Sequence, residues 1–103
     1  MTNNQALDEL RHRLRTSVRT ILTHALGAVS EGRAHLDDEA ISWEWIGGVD
    51  AIDASAIIGR TIPWVTVDDV STNRATLTWF PSGPANTTIP GMEPLTIHLR
   101  RMP

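Results

Sequence analysis

The chain has 103 residues, of which 41% are hydrophobic and 20% charged, and its formal net charge at pH 7 is −3. That length suits one domain and is too short for two, and the composition is that of a chain able to bury a core, which excludes disorder as a description of the whole. Cys, Lys and Tyr are absent and all nine basic residues are Arg, so thiolate nucleophiles, disulfides, Schiff-base lysines and Tyr acid–base chemistry are excluded.

Apolar runs fall well short of the ~18 residues that a membrane span needs. The opening residues Met1-Thr2-Asn3-Asn4-Gln5 carry neither the basic region nor the apolar stretch of a signal peptide. A single soluble domain over residues 1–103, cytoplasmic and without a membrane partner, is therefore expected. Arg without Lys reads as GC-rich coding, in competition with selection against lysine modification or for Arg's planar, bidentate recognition.

From residue 4 to residue 30, Leu7, Leu10, Leu14, Val18, Ile21, Ala25 and Val29 recur at spacings of three or four and predict one long amphipathic helix. Leu22 and Leu26 widen its apolar face, and Gly32 offers a stop. A helix of about 27 residues would be about 40 Å long, more than the rest of so small a domain covers. The excess predicts an assembly surface, in which Leu7, Leu10, Leu14, Val18, Ile21 and Ala25 pack on a second copy or a protein partner. Its competitor is a helix lying diagonally across a sheet with nothing left over. Arg11, Arg15 and Arg19 follow one another at one-turn intervals beside His12, a row able to track phosphates. Asp8 stands one turn before Arg11 and His12, and Glu9 stands four residues before Arg13. Ion pairs on a solvated helix face explain that pattern, and nucleic acid is not an expected partner.

Residues 31–39 read as a polar connection ending in Asp37-Asp38-Glu39. A strand follows in which Ile41, Trp43 and Trp45 point one way and Ser42, Glu44 and Ile46 the other, closed by Gly47-Gly48. Residues 50–58 predict a short helix with Asp50 as N-cap and Gly59 as stop, in competition with a strand over residues 54–58. Residues 61–68 and 74–80 form two β-rich runs around a loop at residues 69–73. Pro63 implies that the first of these lies on an edge or starts late. A Pro/Gly loop from Pro81 to Gly91 leads to the last strand, in which Leu95, Ile97 and Leu99 face in and Thr96, His98 and Arg100 face out. The expected fold is α+β: the long N-terminal helix (4–30) on a four-stranded, mostly antiparallel sheet (40–102), with a short second helix.

Trp43, Trp45, Trp64 and Trp79, with Phe80, are all the aromatic residues of the chain. They read first as core beneath the helix. An exposed Trp would instead offer a flat face and an N–H donor to a base, a sugar or a partner side chain. His98 and Arg100 share an outward strand face and, with Arg60, are the groups that would meet an anion. Thr96-Ile97-His98 has the wrong order for the His-x-Thr motif of two-histidine phosphodiesterases, so no catalytic role is assigned to His98. His35 with Asp37, Asp38 and Glu39 gathers potential metal ligands at a spacing that matches no metal site, and reads as a solvated acidic turn. No nucleophile elbow, phosphate loop or dinucleotide fingerprint is present, and no catalytic, metal or cofactor site is expected. The leading expectation is a non-enzymatic interaction or assembly protein that self-associates through its N-terminal helix, of the kind of a small bacterial or phage accessory protein. The alternative is a nucleotide-like ligand-binding module that uses a Trp for stacking and His98 and Arg100 for anion contacts.

Overall fold

The computed structural model describes residues 3–37, 40–84 and 89–103. The N-terminal stripe forms helix α1 (Asn3–Gly27). Val18, Leu22 and Leu26, one per turn along one side, are fully shielded from solvent, and Leu14, Ile21 and Ala25 flank them on the same core. The helix stops at Gly27 rather than near residue 30. Leu26 O is closed off by Ser30 Oγ at 2.7 Å and by the Val29 N–H at 3.1 Å, which satisfies one of the orphan carbonyls at the helix end. Val29 thereby leaves the stripe and is exposed.

Gly32, expected as a helix stop, lies inside a strand. This strand, β1 (Glu31–Leu36), replaces the polar connection and makes the sheet five-stranded rather than four-stranded. Its inward positions Gly32, Ala34 and Leu36 stand opposite Trp45, Trp43 and Ile41, so small residues leave room for the indoles. A Cβ on Gly32 would lie 2.4 Å from Glu44 O and 2.6 Å from Trp45 Cβ. Such a strand has almost no apolar alternation to reveal it.

The remaining elements are β2 (Ala40–Ile46), α2 (Ala51–Thr61), β3 (Val65–Val70), β4 (Arg74–Trp79) and β5 (Leu95–Met102). The second helix is real, and the strand alternative at residues 54–58 falls. The Asp50 side chain accepts from the Asp53 N–H at 2.8 Å as an N-cap. Gly59 does not end the helix, since the chain runs on helically to Thr61 and the Ile62 N–H still bonds Ile58 O at 2.9 Å. Thr61, Pro63 and Trp64 therefore precede β3 instead of belonging to it. The loop between β3 and β4 shrinks to residues 71–73, closed by the Ser71 N–H on Arg74 O at 2.7 Å.

The sheet order is β1-β2-β5-β4-β3, with β2 and β5 parallel and all other neighbours antiparallel. The single core is formed by Ile41, Trp43 and Trp45 of β2, Leu95, Ile97 and Leu99 of β5, Ala75 and Leu77 of β4, and the inner faces of both helices. Both helices thus cover the same side of the sheet. The N-terminal half of α1 is met by the Pro/Gly loop: a Cβ on Gly91 would lie 2.8 Å from Leu7 Cδ2 and 2.9 Å from Leu10 Cδ2, and Arg11 Nη1 bonds Glu93 O and Glu93 Oε2, each at 3.0 Å. Asp38, Glu39 and residues 85–88 lie outside the described residues. No helix among the described residues is long and apolar enough to cross a membrane.

Candidate functional site

With both helices on one side, no element among the described residues covers the other side of the sheet, and none of the described residues that alternate outward is buried. The strand register sorts these residues into rows. One row runs Arg33, Glu44, Arg100, Arg74 across β1, β2, β5 and β4. The next runs His35, Ser42, His98, Thr76 across the same strands. Neighbouring strands lie about 4.7–4.9 Å apart, so each row places its residues next to one another on one face. A depression of about 410 Å³ is lined by Ser42, Glu44, Arg74, Thr76, His98 and Arg100. A second of about 460 Å³ adjoins it across Glu44 and is lined chiefly by Glu31, Arg33, His35, Ile46 and Met102.

Charges on this face are unevenly matched. Glu44 Oε1 lies 3.5 Å from His35 Nε2, so the one acid lining the first depression turns toward β1. At the far edge, Asp68 is held by the hydroxyls of Thr66 (3.0 Å) and Thr78. Among the described residues, the guanidinium groups of Arg74 and Arg100 make no ion pair and no hydrogen bond.

Ser42 lies in register between His35 and His98, and His35 meets Glu44, a composition that resembles a hydrolytic triad. β2 is an interior strand whose backbone N–H groups serve the ladders to β1 and β5, so the donors that face this depression are side chains. Among the described residues no three His, Asp or Glu side chains come together to hold a metal.

His98 and Arg100 lie on this face, as expected from the alternation of their strand. Trp43 and Trp45 do not join them. They are 2% and 1% exposed in the core, with their indole N–H groups directed to Ser30 Oγ at 3.4 Å and Val49 O at 2.8 Å, and neither offers a free face for stacking. Trp79 is half-buried on the core side. Trp64 is the exposed one, at 56%, held at φ 61° before β3 and lying over Gly83. Arg60 belongs to α2 and so to the covered side. Sequence reasoning missed Arg33, His35, Ser42, Glu44, Arg74 and Thr76 as companions of His98. Their outward phase is readable strand by strand, but their grouping depends on the parallel β2–β5 pairing.

Of the residues assigned to an assembly surface, Val18 is fully buried inside the chain. Leu14, Ile21 and Ala25 are half-buried against the core, and Leu7 and Leu10 are half-buried beside Gly91. The Arg row of α1 is partly structural, with Arg11 on Glu93 at 3.0 Å and the neighbouring Arg13 on Glu9 at 3.5 Å. No protein-family model, curated protein sequence or solved structure matches the chain.

Proposed function

We propose that this chain is a non-enzymatic ligand-binding module that works through the uncovered face of its sheet. The observation that carries the reading is the one-sided placement of α1 and α2. It leaves Arg33, His35, Ser42, Glu44, Arg74, His98 and Arg100 gathered on a solvent-facing surface, where folding alone needs only inert polar residues. Ligand sites combine a shaped surface with a few convergent polar groups, and this is the face that has both. The test is to map amide shifts by NMR while titrating nucleotides and small organic anions. Shifts clustered on β2, β4 and β5 support the reading; shifts confined to the helices, or none with any ligand, overturn it.

A second reading, a homo-oligomer formed through α1, is supported by Leu7 and Leu10, which lie beside Gly91 and stay half-buried rather than buried. Light scattering after size exclusion at two concentrations decides it. A mass of two or more chains that persists on dilution and is lost in Leu10→Asp supports assembly through the first half of the helix. A monomer at tens of micromolar ends it.

A further inference from the structure

Arg74 and Arg100 are direct cross-strand partners in the β4–β5 ladder. The Arg101 N–H bonds Asn73 O at 2.8 Å, which makes Arg74 and Arg100 a non-hydrogen-bonded pair, the class that brings opposing side chains closest. Like charges so placed destabilise a sheet. Here neither guanidinium has a counter-ion among the described residues. Glu44, across from Arg100 on the other side, has its carboxylate on His35 instead, at 3.5 Å.

From this juxtaposition we infer that Arg74 and Arg100 form a binding site for a phosphate-type dianion. The inference rests on the open-face reading and names its ligand class. Two guanidinium forks side by side present a double positive charge and planar donors. A tetrahedral dianion answers both forks, whereas one carboxylate answers the charge of only one. His98 and Thr76 lie one step along the same strands and line the same depression, and Ser42 neighbours His98 across β2. They supply further donors around the anion. The depression, at about 410 Å³, exceeds a bare phosphate and leaves space for the group that carries it.

The test uses the whole protein at low ionic strength, with inorganic phosphate and ribose 5-phosphate as probes and chloride at matched ionic strength as control. Both probes should raise the melting temperature by about 7 °C at tenfold excess over Kd, and both should shift the amides of β4 and β5. Arg100→Gln and Arg74→Gln should each weaken binding at least tenfold. Each should also melt a few degrees higher than the native chain in chloride alone, because a like-charge contact is removed. Tighter binding of the sugar phosphate than of inorganic phosphate identifies a monoester ligand, and equal binding identifies the free anion. No melting shift beyond that of chloride, or a shift unaltered in both variants, overturns the inference. If phosphate fails while another ligand still moves amides on β2, β4 and β5, the anion site falls and the open-face reading stands.

Discussion

Gly91 stands against Leu7 so closely that a Cβ on the glycine would lie 2.8 Å from Leu7 Cδ2. Its backbone is also in the left-handed region, at φ +85°, where a side chain costs about 1–2 kcal/mol. Gly91→Ala therefore carries two penalties, strain and a clash with the ends of Leu7 and Leu10, for a total of about 2–3 kcal/mol. Gly47 shares the left-handed backbone at φ +69° but has nothing within 4 Å, so Gly47→Ala should cost only about 1 kcal/mol. Urea unfolding of the two variants checks the difference. Equal losses would show that the loop does not press on α1.

The same loop contact is pH-dependent. The Glu93 carboxyl is held below its ordinary value, chiefly by a hydrogen bond from its own backbone N–H, then by the Gly91 N–H and by Arg11. A carboxylate whose folded pKa is depressed favours the folded state above its unfolded pKa, about 4.3 for Glu, and this contribution fades as pH falls through the lower folded value. NMR titration should show Gly91 and Arg11 moving together with a midpoint below that of a model Glu. Glu93→Gln should remove this transition and leave the loop contact weaker at neutral pH. A midpoint at the ordinary value would mean that the three donors do not engage the carboxylate in solution.

Leu22 and Leu10 separate the two halves of α1. Leu22 is fully buried, and Leu22→Ala should cost about 2–5 kcal/mol as a cavity opens. Leu10 is half-buried beside Gly91, and Leu10→Ala should cost about 1 kcal/mol, since only part of its surface returns to water. Chemical denaturation at two protein concentrations reads both values. A Leu10→Ala loss as large as that of Leu22, and dependent on concentration, would place Leu10 in an interface between copies.

Strong periodicity made α1, β2 and β5 legible, because each has an apolar face whose spacing alone names the element. β1 was illegible for the reason that makes it fit: Gly32 and Ala34 are small because Trp45 and Trp43 lie opposite, so the bulk belongs to the partner strand. The helix end at Gly27 was missed because Ser30 closes the last turn through a side chain, which leaves no trace in the apolar pattern. On the candidate site, the outward phase of His98 and Arg100 was readable from alternation. Arg74 and Glu44 could not be assigned beside them, since register between strands so far apart in sequence is set by packing rather than by local pattern. The four Trp residues show the same limit, because composition does not say which of them the core consumes.

Collisional quenching resolves that last point without a mutation in the core. Trp64 is 56% exposed, whereas Trp43 and Trp45 are 2% and 1% exposed. Iodide, which does not enter a packed interior, should quench a red-shifted fraction of the emission that comes from Trp64, with a small share from half-buried Trp79. Trp64→Phe should abolish most of the quenchable signal, shift the remaining emission to the blue, and leave the unfolding midpoint nearly unchanged, since surface substitutions usually stay within about 0.5 kcal/mol. Emission still strongly quenched by iodide in the double variant Trp64→Phe, Trp79→Phe would mean that Trp43 or Trp45 meets solvent, and the core beneath α1 would then be packed differently from the arrangement that leaves the Arg74–Arg100 face open.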